Sequence, residues 1–188
     1  MLLAIDVGNT NIVLGVIKDD ELISTGRLST NINETDEEYA MKLHSFLSLH
    51  NALDIDGAIV SSFVPALIGT LKRAVRFVTG VKPLIVGPGV KTGLSIKIDD
   101  PAQLGADLVV GAVAAKAKYS CPAIIFDLGT ATTGTVVDKE GNFIGGFIAN
   151  GVMASLNALS SKTALLPQID LTAPKKIIGT NSIDCMKS

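Results

Sequence analysis

Two short segments that carry the same chemistry lie far apart in this chain of 188 residues. The first is Asp6–Asn11, Asp-Val-Gly-Asn-Thr-Asn, and the second is Asp127–Thr133, Asp-Leu-Gly-Thr-Ala-Thr-Thr. In each segment a carboxylate opens a turn whose glycine lets the backbone approach a ligand closely. Backbone N–H groups and hydroxyls can donate to phosphate oxygens, and aspartates can hold a cation directly or through water. Two such turns facing each other could hold a polyphosphate and its metal ion.

The apolar runs around these segments predict two β-hairpins. Leu2–Ile5 and Ala123–Phe126 precede the turns, and Ile12–Ile17 and Thr135–Val137 follow them. Such runs on both sides of a turn are typical of strand, turn and returning strand. A single Asp-x-Gly turn is equally typical of a purely structural hairpin. Because the pattern occurs twice with the same Thr- and Asn-rich continuation, a binding role is favoured over the structural one.

Composition indicates a globular α/β protein and excludes several functional classes. The chain is 47% hydrophobic with a mean hydropathy of +0.44 and no Trp, which suits buried parallel strands. Its net charge of −2 is spread evenly, so no basic surface for a nucleic-acid partner is expected. The uncharged run Phe143–Ser161 is interrupted by Gly, Asn and Ser, which argues against a membrane span. Cys121 and Cys185 lack metal-ligand spacing, and we expect a cytoplasmic protein with no membrane partner.

The remaining periodicity predicts two domains that begin in the same way. The first reads β-β-β-α-β-α-β and ends with a helix, and the second repeats three strands and a helix. We place the domains at residues 1–118 and 119–188. The predicted elements are the strands Leu2–Val7, Ile12–Ile17, Leu22–Leu28, Ala58–Ser61, Leu84–Val86 and Asn142–Ile148, the hairpin Ala123–Val137, and helices from Thr35, Pro65, Pro101 (to about Lys118), Gly151 and Ser182.

Three motifs occur in the order and spacing of a known enzyme family. They are Asp6–Asn11, Gly105–Leu108 (Gly-Ala-Asp-Leu) and Asp127–Thr133. The supporting segments are Pro88–Gly93, Asp100–Leu104 and Ser161–Pro167. Together they resemble the type III pantothenate kinases, which are members of the actin, hexokinase and heat-shock ATPase superfamily.

This resemblance implies both the fold and the activity. The fold is an α/β actin-like ATPase (ribonuclease H-like) with duplicated domains, of which the second is incomplete. The activity is ATP-dependent phosphorylation of pantothenate to 4'-phosphopantothenate, the first step of coenzyme A biosynthesis, by a homodimer. Since roughly a quarter of the family pattern would follow Ser188, we expect the chain to be truncated. We then expect open apolar faces on Ala123–Phe126, Phe143–Ile148 and Val152–Leu159.

The resemblance also assigns residues to the nucleotide and its cations. Asp6 is expected near Mg²⁺, directly or through water, since Mg²⁺ keeps several waters and takes one or two carboxylates. Asp127 is expected to bind a monovalent cation, K⁺ or NH₄⁺. The residues expected to bind ATP are Asp6, Val7, Gly8, Asn9, Thr10, Asn11, Ile12, Val13 and Thr130.

Asp107 is the candidate catalytic base. Phosphorylation of an alcohol needs an acceptor for the hydroxyl proton, and Asp is a common choice. An acidic residue near a helix N-terminus is equally typical of plain helix stabilisation, and the sequence places Asp107 in the second turn of a helix from Pro101. The resemblance decides for catalysis. The residues expected to bind pantothenate are Gly105, Ala106, Asp107, Leu108 and Ser182.

Two positions depart from the family pattern and leave alternatives open. Leu108 stands where an Arg could grip the substrate carboxylate, and Ile98 stands where an aromatic residue often occurs. Lys91 or a partner subunit could supply the missing charge. One alternative is a catalytically impaired regulatory relative of the Bvg accessory factor type. Another is a different small-molecule kinase of the same superfamily.

Overall fold

The first three strands of the chain form an antiparallel meander. The computed structural model describes all residues from Met1 to Ser188. Strand β1 is Leu2–Val7, β2 is Asn11–Lys18 and β3 is Glu21–Ser29, and β2 lies between the other two. Every second side chain of β1 and β2 faces the core, as expected for strands with one buried face. The predicted strands and the polar turn at Asp19 and Asp20 are confirmed.

Two helices cover the buried face of this sheet. Helix α1, Asp36–Leu49, begins with the predicted capping box, in which Thr35 and Glu38 bond each other's backbone N–H groups. Strand β4, Gly57–Ser62, lies parallel to β1, and α2, Pro65–Thr79, follows it. The short strand β5, Leu84–Ile85, completes the strand order β3-β2-β1-β4-β5.

The helix that we predicted from Pro101 is wrong at its N-terminus. Pro101–Gln103 form a single 3₁₀ turn, Leu104 and Gly105 are extended, and α3 spans Ala106–Lys118. The reason is that Leu104 turns its side chain into the second hydrophobic cluster, which interrupts the helix. As a consequence, Asp107 lies in the first turn of α3 rather than in the second turn of a longer helix.

The second sheet repeats the meander. Its strands are β6 (Ser95–Ile96), β7 (Ala123–Leu128), β8 (Ala131–Val137) and β9 (Asn142–Asn150), in the order β6-β9-β8-β7. Helix α4, Val152–Lys162, follows β9, and α5, Ser182–Lys187, ends the chain. The hairpin and the start of α4 are therefore confirmed. The division at residue 118 stays a prediction, and β6 joins the second sheet although it precedes that position.

The two sheets have very unequal cores. The first cluster contains 19 buried residues, whereas the second contains only Ala112, Val137 and Phe143. Helix α3 contacts β4 of the first sheet and β7 and β8 of the second, so it connects the two lobes. The position of α3 therefore decides how the two hairpin turns face each other.

One face of the second sheet is open and apolar. Ile124 and Phe126 are each 61% exposed and Leu128 is 71% exposed, all at alternate positions of β7. The Phe126 and Phe147 rings meet edge to face on this surface, 5.8 Å apart. The expected exposure is thus confirmed for β7 and also for Phe147 and Ile148 of β9 and Val152 and Met153 of α4, whereas it is wrong for Phe143, which faces α3 and is buried. No helix of the chain has both the length and the apolar composition needed to cross a membrane.

We expect the open face to cause self-association. The double variant Ile124→Thr, Phe126→Thr should reduce it, because large exposed apolar patches favour association and Thr suits a strand surface. Light scattering over a range of protein concentrations measures the effect. Thermal unfolding should be almost unchanged, since both side chains are largely exposed. Equal association of variant and parent would show that this face is not responsible.

Candidate active site

The two hairpin turns lie face to face. The hydroxyls of Thr10 and Thr130 are 2.9 Å apart and share a hydrogen bond across the cleft between the lobes. Each turn is closed by its glycine, since Gly8 N–H donates to the Asn11 carbonyl at 2.9 Å and Gly129 N–H donates to the Ala131 carbonyl at 3.0 Å. The repeated sequence pattern therefore corresponds to two glycine-closed turns, of which the second is one residue shorter.

Donor groups remain available at the tips of both turns. The backbone N–H groups of Asn9, Thr10 and Thr130 have no carbonyl partner. All three residues are exposed to solvent in the cleft between the lobes. Free N–H groups in a tight turn next to hydroxyls form an anion-binding concavity. This arrangement can take phosphate oxygens from both sides.

Three aspartates meet beside these turns. Asp6 lies near the end of β1, Asp127 lies near the end of β7, and Asp107 lies in the first turn of α3. Burial raises the pKa of the Asp6 carboxyl above its ordinary value, and the negative charge of Asp127 raises it further. The neighbouring Ser61 hydroxyl opposes this increase by favouring the carboxylate.

Asp107 has the same electrostatic environment. Burial raises the pKa of its carboxyl, and the charges of Asp6 and Asp127 add to the increase. The nearby backbone N–H groups of Leu108 and of Asp107 itself partly offset the increase in pKa by favouring the carboxylate. Each of the three carboxylates therefore lies within electrostatic reach of the others. A cation bound among them would relieve this repulsion.

Unpartnered polar atoms mark the same place. The buried side-chain oxygens without a hydrogen-bond partner are Ser61 Oγ, Asp107 Oδ1 and Thr133 Oγ1. Ser61 is the register neighbour of Asp6 on β4, and Thr133 is the register neighbour of Asp127 on β8. Ser61 Oγ is near enough to Asp6 to affect its pKa, although the contact falls outside hydrogen-bond geometry. Buried polar atoms normally have partners, so their clustering here indicates a ligand site.

Sequence reasoning missed Ser61 as part of the site, and it named Thr133 only as one of the hydroxyl donors of the second motif. Thr133 lies inside the repeated motif. Its place opposite Asp127 in the predicted hairpin was the signal that could have assigned it to the site. Ser61 is only 6% exposed at the end of an otherwise apolar strand, and that polar position was the available signal. Neither signal alone gives the pairing between strands that places the hydroxyl beside the carboxylate.

Close packing fixes Asp107 at the start of α3. A β-carbon at Gly105 would lie 2.5 Å from Asp107 Oδ1 and 2.5 Å from the Phe63 ring, so only glycine fits. A cavity of about 690 Å³ adjoins this point, between the ends of β4 and β5 and the start of α3. Gly105, Ala106 and Val109 line its α3 side. The cavity thus extends to Ala106, the residue directly before Asp107.

The structure does not bring every predicted residue to this cleft. Val7 and Ile12 are fully buried in the first core and can offer only backbone groups. Leu108 packs against the second cluster together with Ile98, and it does not line the cavity. Ser182 begins α5 and lies in a hollow with Leu159 and Leu166 that no residue of either turn lines. The assigned roles of these residues stay predictions.

The donor set fits a divalent cation held mainly by its ligand. No group of three or more His, Cys, Asp or Glu side chains has a metal-binding arrangement. Asp6 can supply one carboxylate, and phosphate oxygens with waters can complete the coordination that Mg²⁺ prefers. The mutual repulsion of Asp6 and Asp127 is consistent with a positive charge between them.

Solved structures with this architecture support the fold. A Campylobacter jejuni protein described as a Baf family transcriptional activator aligns over 98% of this chain and 71% of its own, with a TM-score of 0.59 and 16% identity. A structure from Sinorhizobium meliloti described as a 2-dehydro-3-deoxygalactonokinase aligns over 88% of this chain and 58% of its own, with a TM-score of 0.53 and 14% identity. At such low identity these likenesses show the actin-like ATPase fold alone.

Sequence comparison identifies the family. The profile described as "Type III pantothenate kinase" matches residues 2–188. The type III pantothenate kinases of Halalkalibacterium halodurans and Exiguobacterium sp. are 46% and 45% identical to this chain. The enzyme of that name from Bifidobacterium animalis subsp. lactis is 40% identical. Each alignment covers 100% of this chain and 75% of the relative. The chain belongs to the type III pantothenate kinase family.

Proposed function

We propose that this cleft transfers the γ-phosphoryl group of ATP to the primary alcohol of pantothenate, giving 4'-phosphopantothenate. The observation that carries this proposal is the position of Asp107, whose carboxylate shares one electrostatic cluster with the aspartates of both turns. A group placed in this way lies next to the transferred phosphate when ATP occupies the turns. The adjoining cavity of about 690 Å³ can hold the acceptor alcohol.

The chain's own groups account for binding and proton transfer. The free N–H groups of Asn9, Thr10 and Thr130 bind phosphate oxygens, and the two threonine hydroxyls add further donors. Asp107 accepts the hydroxyl proton while the alcohol oxygen forms its bond to the γ-phosphorus. The bond from that phosphorus to the β–γ bridging oxygen breaks, and ADP leaves with the bonding electrons.

Cations complete the proposed site. Asp6 holds Mg²⁺ directly or through water, and Mg²⁺ neutralises negative charge on the phosphate oxygens. Asp127 holds a monovalent cation, K⁺ or NH₄⁺, at the second turn. Both assignments are supported by the mutual repulsion of the two carboxylates, which a cation removes.

A homodimer is part of the proposal. Ser182 lies in a hollow lined by Leu159 and Leu166, which shares no residue with the cavity beside Asp107. We propose that Ser182 of one subunit approaches the cleft of another. We also propose that residues 1–118 and 119–188 are the two domains that close on ATP.

Asp107→Asn should remove turnover while ATP binding is retained. The amide has nearly the same shape but cannot accept the proton, and general-base effects are typically about 10²–10⁴-fold in rate. Steady-state kinetics with pantothenate measure the loss in kcat, and calorimetry measures Mg·ATP affinity. A variant that keeps more than half of the parent's kcat would exclude Asp107 as the base.

Asp6→Asn and Asp127→Asn should behave in the opposite way. Each change removes a negative charge that the bound cation needs, so Mg·ATP affinity should fall. Asp127→Asn should also flatten the preference of the activity for K⁺ over Na⁺. Calorimetry that gave unchanged Mg·ATP affinity in both variants would contradict the paired-turn site.

The Asp107→Asn variant should also be more stable than the parent at neutral pH. The raised pKa means that the folded protein keeps this proton at a pH where the unfolded chain has lost it. The stability present at low pH is therefore lost as pH rises from the ordinary carboxyl value through the raised one. Urea unfolding at a series of pH values should show this decline in the parent and a weaker one in the variant. A less stable variant at neutral pH would contradict the prediction.

A further inference from the structure

Thr30 lies directly behind the first hairpin turn. It follows the last residue of β3, and its backbone N–H donates to the Thr10 carbonyl at 3.0 Å. Its hydroxyl donates to the Gly8 carbonyl at 2.7 Å. Two carbonyls of the turn are thus held from behind by one residue.

These two bonds determine where the donors of the turn point. In a planar trans peptide the carbonyl and the N–H of the next residue point in opposite directions. The bond between Thr30 and the Gly8 carbonyl therefore turns the Asn9 N–H away from Thr30 and toward the cleft. Asn9 N–H has no carbonyl partner, so it is free for a ligand. Without the Thr30 hydroxyl, the Gly8–Asn9 peptide loses this restraint.

The segment that carries Thr30 is itself anchored in the first core. The Tyr39 hydroxyl donates to the Asn31 carbonyl and accepts from the Asn31 N–H, both at 3.0 Å. Tyr39 lies on α1 and is fully buried. The support behind the turn is therefore continuous with the best-packed part of the protein.

Gly151 occupies the equivalent place behind the second turn. It follows β9 as Thr30 follows β3, because Asn150 pairs with Ala131 as Ser29 pairs with Asn11. A β-carbon at Gly151 would collide with the Thr130 carbonyl oxygen and would lie 2.6 Å from that of Gly129. Here the bare backbone itself presses against the carbonyl side of the turn, and no side chain fits between them.

We propose that Thr30 and Gly151 are a pair of positioning residues that hold the donors of the two turns toward the phosphates of ATP. In the first lobe the restraint is a hydrogen bond, and in the second it is steric contact. Neither residue has to touch the nucleotide. The proposal rests on the proposed function, since ATP is the ligand that the turns bind.

The first test replaces the Thr30 hydroxyl. Thr30→Val keeps the shape and the backbone N–H but removes the side-chain bond, whereas Thr30→Ser retains the hydroxyl. We expect Thr30→Val to weaken Mg·ATP binding roughly tenfold, the size of one hydrogen bond, and Thr30→Ser to restore most of it. KM for pantothenate and the melting temperature should stay close to those of the parent. The matched control is Thr25→Val at an exposed site on β3, the strand that precedes Thr30.

The second test fills the space behind the other turn. Gly151→Ala should displace Thr130 and weaken Mg·ATP binding by more than tenfold. Gly69→Ala on α2 is the control, because its β-carbon would meet only the flexible end of Arg73 at 3.4 Å. If Gly151→Ala unfolds the second lobe, Thr30→Val still decides the proposal for the first turn.

Binding and turnover together separate this inference from the function on which it rests. A parent that binds Mg·ATP but does not phosphorylate pantothenate would contradict the proposed function, while the affinities of the variants would still judge Thr30 and Gly151. Thr30→Val with the parent's Mg·ATP affinity would overturn the positioning role, whatever the parent phosphorylates. If Thr30→Val weakened Mg·ATP binding but also raised the KM for pantothenate and lowered the melting temperature, Thr30 would act only on the fold. That result would also overturn the positioning role.

Discussion

The mutual repulsion of three neighbouring carboxylates is the constraint around which this structure is arranged. The charge of Asp127 acts on Asp6, and the charges of both act on Asp107. The three carboxylates have no attraction for one another that would keep them close. Two antiparallel meanders and the helix between them must therefore place the carboxylates by packing elsewhere. A cation bound among the carboxylates would offset their repulsion and that of an arriving polyphosphate.

The support for this arrangement is unevenly distributed. The first lobe has a continuous core under α1 and α2, whereas the second has three fully packed residues and depends on α3 and the short strand β6. Lobes with few buried apolar contacts open more readily than those with many. We therefore see the first turn as the fixed half of the cleft and the second as the adjustable half. This division matches the way in which each turn is held, by a bonded threonine in one lobe and by a bare glycine in the other.

The sequence was sufficient for the hairpins and for the order of the elements, because glycine, aspartate and alternating apolar residues act locally. The sequence also placed Asp6, Asp107 and Asp127 among the candidates that the structure brings together. It failed where the outcome depends on distant contacts. The break at Leu104 follows from its burial in the second cluster, and the inward packing of Leu108 has the same cause. Strand β6 has only two residues, too few for a periodic signal, and forms because β9 offers an edge. The pairing of Ser61 with Asp6 needed the parallel register of β4, which no local pattern contains.

The hydrogen bond between Thr10 and Thr130 has a consequence for the energetics of nucleotide entry. Because one hydroxyl donates to the other, that proton must leave an existing bond before it can bond a phosphate oxygen, whereas the proton of the second hydroxyl is free. The net gain from the first donor is smaller than a count of protein–phosphate contacts would suggest, since only the surplus over the broken bond counts. The bond between the two threonines therefore competes with the phosphate for that donor. This competition lowers the affinity for the nucleotide. The hydrogen bond between the two hydroxyls re-forms when the product leaves, and this favours product release.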